Sequence, residues 1–292
     1  MKTLWAFEPF HQDKERLQGM HRLLQQLGTP DKELEVAFIV TRTEAELNKP
    51  EQLEPEERYV YRPRRIMAET LNKAGIPLIE KSLHVVDFPT RSVSEAVQVF
   101  LKLARKQKAE MIALYTHARH GFQRLITGSF AETAIHHSPV SLLLLNPKAK
   151  VARKISKIVF ATDFSPEADK QLPQVLKLCQ SLKANLVVLH HAEVIYGWSM
   201  DESNPAIQAY RKKVDKNKAA LAEKCRKAGV SNEVVIDSDF DATSDFLLRS
   251  ADKFKADLIV MSAKASPALA LIGGSISRKV VRAAEVPVLI LK

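Results

Sequence analysis

Asp257-Leu-Ile-Val-Met261, Gly274-Ser275 and Val286-Pro-Val-Leu-Ile-Leu291 decide the fold, because the chain has used the same series once before. The earlier version is Glu110-Met-Ile-Ala-Leu114, Gly128-Ser129 and Val140-Ser-Leu-Leu-Leu-Leu145. Each series runs from an acid into an apolar strand, through a loop to a Gly-Ser pair, then through a helical segment to a pure apolar strand. The spacings agree to within one residue. A period of this length marks a duplicated domain.

Working outward, both halves alternate near-continuous apolar runs with amphipathic segments. The first half reads as strands at Thr3–Phe7, Leu34–Val40, Ile79–Val86 and Met111–Leu114. Helices are expected around Gln12–Leu27, Glu56–Ala74 and Ser92–Lys108. The second half reads as strands at Lys157–Ala161, Asn185–His190, Val234–Ser238 and Leu258–Met261. Its helices are expected over Ser165–Leu182, Ala206–Ala228 and Thr243–Phe254. Apolar strands separated by helices predict a parallel sheet covered on both faces, and right-handed crossovers make it doubly wound. Ser165-Pro166-Glu167 reads as a helix start, with a serine cap, proline in the first turn and an acid beside the helix dipole. That start places Asp163 at the carboxyl end of a strand, where open parallel sheets bind ligands.

Lys157-Ile-Val-Phe-Ala-Thr-Asp-Phe-Ser-Pro166, with the Asp257–Met261, Gly274–Val280 and Pro287–Leu291 segments, resembles the universal stress protein family. The resemblance covers the whole chain as two copies, and the first is the more divergent. It implies an α/β fold of two doubly wound, parallel five-stranded Rossmann-like sheets of order 3-2-1-4-5, packed as an internal pseudo-dimer. The domains expected are 1–147 and 152–292. In relatives the closing strands of two subunits pair across a two-fold axis. Here Val140–Leu145 and Val286–Leu291 are expected to pair within one chain, which also covers two apolar sheet edges.

The resemblance further implies ATP or AMP as the ligand of the second copy. It points to Ala161, Thr162, Asp163, His191, Ser262, Ala265, Gly274, Ser275, Ile276 and Ser277, with His190 packed beneath the site. In the first copy it points to Glu8, Gly128 and Ser129. The physical basis is plain: glycine lets backbone N–H groups approach phosphate oxygens, and a helix N-terminus favours anions. Both copies depart from the family's G-x-x-G, nine residues, G-S/T pattern. Ser262 and Ala265 replace the leading glycines of the second copy, its loop is one residue short, and Pro267 removes an N–H. In the first copy Tyr115 and Ala118 replace them, and a tyrosine obstructs close backbone approach. The competing reading is that each Gly-Ser pair is simply a well-capped helix start.

Composition bounds the remaining classes. At 292 residues the chain suits two domains, and 46% hydrophobic with 27% charged residues is ordinary for a globular protein. No apolar run reaches the ~20 residues of a membrane span. The apolar stretch at the N-terminus is too short for a signal peptide, so the cytoplasm is expected. Two separated cysteines, Cys179 and Cys225, read as buried thiols and argue against disulfides or structural zinc. The net charge of +10 is spread along helix faces and a basic junction at Lys148–Lys157, which reads as a solvated surface rather than a nucleic-acid interface. His117, His120, His136 and His137 lack a cysteine or acid at fixed spacing, so no metal site is expected. No Walker A or GxSxG motif appears, and no catalytic residues are assigned.

Three function classes stay open. One is a non-catalytic stress-response regulator with a degenerate ATP-type site. The second is a protein-interaction module with no nucleotide or with an apolar ligand in the cleft, which the loop Ala268–Leu271 favours. The third is a weak ATP hydrolase. A homodimer of tandem chains and an unidentified protein partner are compatible with all three.

Overall fold

The computed structural model describes residues 1–9, 13–41, 60–88, 92–116, 129–191, 204–237, 242–262 and 276–292. The chain divides into two compact units. One comprises Met1–Arg153 with Val281–Ile290 and Lys292, and the other Lys154–Val280 with Leu291.

In the first unit the strands are β1 (Thr3–Ala6), β2 (Leu34–Thr41), β3 (Leu83–Phe88), β4 (Met111–Tyr115) and β5 (Ser141–Leu145). They lie in the order β3-β2-β1-β4-β5, and all four neighbouring pairs are parallel. The helices are α1 (Lys14–Gln26), α2 (Arg62–Lys73), α3 (Val93–Lys106) and α4 (Ser129–His137). Strands covered on both faces must be apolar at consecutive positions, and Met111 to Leu114 and Leu142 to Leu145 are all buried. α1 turns Leu17, Met20, Leu23 and Leu24 inward at helical spacing. α3 starts where the Ser92 hydroxyl accepts from Glu95 N at 3.4 Å.

The chain's last strand, β10 (Val288–Leu291), runs antiparallel to β5, with Val288 opposite Leu144 and Ile290 opposite Leu142. The expected pairing of the two closing strands is therefore present. Asn146, 2% exposed, fastens the segment leading to β10: its Nδ2 donates to the carbonyls of Val281 (3.0 Å) and Ala284 (2.5 Å).

The second unit holds β6 (Lys157–Ala161), β7 (Asn185–His191), β8 (Asn232–Asp237) and β9 (Leu258–Ser262). They are parallel in the order β9-β6-β7-β8, the first four strands of the same topology. Its helices are α5 (Pro166–Leu182), α6 (Pro205–Lys227) and α7 (Thr243–Lys253), and α8 is described over residues 276–283. The start of α5 matches its sequence signature, since Ser165 Oγ accepts from Ala168 N and Pro166 lies in the first turn. Cys179 and Cys225 lie in α5 and α6 and are buried, as expected. Burial pushes the Cys179 thiol up to about 12, with Cys225 nearby adding to the rise.

Several expected boundaries shift; the strand placed at Val234–Ser238, for example, runs Asn232–Asp237 among the described residues. The strand placed at Ile79–Val86 begins at Leu83, because Glu80–Ser82 close a 3-10 turn with Ser82 N donating to Ile79 O at 2.8 Å. Of the helix placed at Glu56–Ala74, residues 56–59 lie outside the described residues, and the described α-helix is Arg62–Lys73, with a proline in its first turn. Among the described residues no helix is long and apolar enough to cross a membrane.

Candidate functional site

Backbone bonds superimpose the two copies residue by residue at the carboxyl ends of their central strands. Phe7 N donates to Ala37 O at 2.8 Å, and Thr162 N donates to Leu189 O at 2.9 Å. Phe7 therefore corresponds to Thr162, and Glu8 to Asp163. The parallel registers extend this to the neighbours: Ala6 faces Ala37 and Leu114, and Ala161 faces Leu189 and Met261. One residue on, the first copy presents Phe38, Phe7 and Tyr115 in a row across three strands. The second presents His190, Thr162 and Ser262. Residues in register share a sheet face, so each trio lies on one face.

In the first copy the row is filled from within. Phe7 and Phe38 are buried, and Phe7 meets Trp5 edge-on at 5.4 Å. Tyr115 donates its hydroxyl to Arg16 O at 2.7 Å, and the Arg16 guanidinium lies 4.6 Å from the ring centroid. Burial raises the Tyr115 phenol to about 12 despite the Arg16 cation, so it stays a neutral donor. Glu8 is 4% exposed. Gly128 lies outside the described residues, and Ser129 is the first residue of α4.

In the second copy the same row is small and polar. His190 Nδ1 pairs with the carbonyl of Thr162 at 2.9 Å, which puts the proton on Nδ1 and leaves Nε2 as an acceptor. Burial holds the imidazole below its ordinary pKa, against the upward pull of the Thr162 carbonyl and Asp163. The Phe164 ring lies against that of His190, tilted by 42° with centroids 4.4 Å apart. It does so from a left-handed backbone, φ 56°, that a bulky side chain seldom adopts. His190 Nε2 and Ser262 Oγ are both buried without a hydrogen-bond partner. Unsatisfied polar atoms at strand ends in a parallel sheet call for a ligand or ordered water.

The other candidates fall around this row. Ala161 ends β6, and exposed Asp163 lies two residues beyond, accepting from Ser165 N at 3.0 Å through Oδ1. His191 ends β7; its Nδ1 bonds Thr243 Oγ1 at 3.0 Å and its ring lies 5.3 Å from that of Phe246. Ile276 and Ser277 are the first described residues of α8, both half-buried. Ala265, Gly274 and Ser275 lie outside the described residues, as do His117, His120 and the loop 268–271. The structure thus brings Ala161, Thr162, Asp163, His190, His191 and Ser262 to one strand-end region. Sequence reasoning passes over Arg16, Phe7 and Phe38. Their signal is the alignment of Phe7-Glu8 with Thr162-Asp163, whereas Arg16 carries none. Among the described residues no three His, Cys, Asp or Glu side chains cluster as a metal site.

Comparison with known proteins agrees with this architecture. The profile of the Universal stress protein family matches residues 13–146 and again 154–292. A universal stress protein from Archaeoglobus fulgidus is 17% identical, covers 99% of this chain and 96% of its own, and superposes with a TM-score of 0.62. A Pseudomonas aeruginosa protein described as functionally unknown is 14% identical, covering 100% of this chain and 92% of its own, with a TM-score of 0.61. A universal stress protein in complex with cAMP is 20% identical and covers 47% of this chain and 97% of its own, with a TM-score of 0.37. No curated protein matches the sequence.

Proposed function

This chain belongs to the universal stress protein family, and from that premise we propose that it is a non-catalytic regulator holding one adenine nucleotide, ATP or AMP, in its second copy. The observation that carries this reading is the contrast between the two rows. Where Tyr115 stacks with Arg16 and closes the first copy, Ser262 leaves a short, unpaired hydroxyl in the second. The first copy is then a structural partner rather than a second receptor.

In this reading Asp163, exposed at the strand end, accepts from a ligand hydroxyl, and the backbone around His191 borders the base. Gly274 and Ser275 precede α8 and offer N–H groups to phosphate. His190 and Phe164 hold the Asp163 turn in place from below. The absence of turnover is proposed on the role of Asp163, whose Oδ1 is engaged by Ser165 N and serves the turn. The cytoplasm is the proposed location, supported by two buried thiols in one unit.

Calorimetric titration of the full chain with ATP and AMP tests the proposal. One site per chain is expected, weakened about tenfold by Asp163→Ala, the worth of a charge-assisted hydrogen bond. Phosphate release should equal the blank. An Asp163→Ala chain with unchanged affinity removes the assigned role of this residue.

A further inference from the structure

A groove of about 420 Å³ in the first unit is lined by Tyr61, Arg64, Arg65, Leu71, Leu78 and Leu83. Leu83 is the first residue of β3, so the groove reaches the amino end of that strand, the end opposite Tyr115 in a parallel sheet. None of its lining residues belongs to either strand-end row. Positions 61, 64, 65, 68, 71 and 72 recur at three- and four-residue spacing, so they form one stripe on α2. The 3-10 turn at Glu80–Ser82 makes the facing wall, and β3 is the end strand of the parallel order.

Its chemistry is lopsided. Arg64 is fixed by donating from Nη2 to Glu80 O at 2.9 Å, while its Nε is buried without a partner. Among the described residues neither Arg64 nor Arg65 forms an ion pair, and Glu80 is the only acid in the lining. Two guanidinium groups against one carboxylate leave the groove positive. Two of the three exposed large hydrophobic residues among those described are Tyr61, at 55%, in the lining, and Ile79, at 56%, between the lining residues Leu78 and Glu80. A mostly apolar cleft of a few hundred Å³ with a few convergent polar groups has the build of a small-molecule site, and exposed apolar side chains beside it mark a surface that meets something.

We infer that this groove binds an amphipathic organic anion. Its carboxylate or phosphate head would lie on Arg64 and Arg65, and its apolar body against Leu71, Leu78 and Tyr61. A planar guanidinium pairs with either head group in a bidentate manner.

Amide NMR titration of the full chain with octanoate tests the inference, with octanol as the uncharged control. Saturable shifts at residues 61–72 and 78–83 are expected. Octanol and the Arg64→Gln/Arg65→Gln chain should each bind about tenfold or more weakly, as loss of charge-assisted bonds requires. Should the double variant disturb the spectrum before ligand is added, Arg65→Gln alone serves, because Arg65 is exposed. Its affinity should fall about threefold. Unsaturable or displaced shifts, equal binding of octanol, or unchanged affinity in the arginine variants overturns the inference.

Discussion

Glu110 and Lys2 exchange hydrogen bonds at the start of the first sheet: Lys2 N donates to Glu110 Oε1 at 2.9 Å, and Glu110 N donates to Lys2 O at 2.8 Å. The second copy repeats the exchange between Asp257 and Lys157, at 3.0 Å and 2.8 Å. Asp257 Oδ2 also accepts from Ser156 N and Ser156 Oγ. The acid before each fourth strand is thus a fastener that sets the register of the first strand. Asp257→Ala should cost about 1–3 kcal/mol in urea denaturation, and Glu110→Ala less, because it loses fewer bonds to a charged acceptor. Equal stability of both variants and the parent chain would show that the strands align without these acids.

Glu35 carries a pH dependence. It is buried beside β1, with Lys2 Nζ at 2.9 Å on Oε1 and His84 Nε2 at 2.7 Å on Oε2. Burial pulls its pKa up, but the bonds from Lys2 and His84 outweigh that and hold it below the ordinary carboxylate value. A depressed folded pKa means the stabilisation is complete above the unfolded value, near 4.3, and is lost as pH falls through the folded value. Glu35→Gln should therefore cost about 1–3 kcal/mol at pH 7, and the gap should close in acid. A gap that stays constant down to pH 3 contradicts this assignment.

Tyr115 gives a spectroscopic signature of the closed first copy. With its phenol raised to about 12 by burial, it should ionise about two units later than an unperturbed tyrosine. Because the folded pKa lies above the unfolded one, this group's stabilisation is present below pH 10 and fades as pH rises through 12. Ultraviolet titration should show a late-ionising tyrosine, and Tyr115→Phe should remove that step. A normal titration in the parent chain would mean the row is open to water.

Asn146 bears on how the chain's last segment is held. Removing its Nδ2 bonds in Asn146→Leu leaves the Val281 and Ala284 carbonyls unpaired and should cost about 1–3 kcal/mol. Hydrogen exchange at residues 288–291 should speed up in that variant. Protection unchanged from the parent would place the anchor elsewhere, for example in the Lys292 Nζ bond to Ile135 O at 2.7 Å.

Most of this architecture is legible in the sequence because buried parallel strands advertise themselves as unbroken apolar runs, and Ser165-Pro166-Glu167 spells a helix start. The start of β3 is set by hydrogen bonding rather than hydropathy. Ile79 looks like strand until the Glu80–Ser82 turn is seen, and it proves 56% exposed. The Lys2–Glu35–His84 cluster is hidden for a similar reason. Glu35 and His84 interrupt apolar runs, and only the register shows that they meet, where the second copy has Val187 and Val235. At the site, the position of Asp163 follows from local sequence. The plug formed by Arg16 on Tyr115 joins residues 99 apart and has no local signature.

Exchanging one residue tests whether the small, polar row of the second copy takes a ligand where Tyr115 fills the first. Calorimetry with ATP should count one ligand per parent chain, one per Tyr115→Phe chain, and none per Ser262→Tyr chain whose melting is otherwise cooperative. Two ligands per parent chain, or full binding retained by Ser262→Tyr, would contradict it.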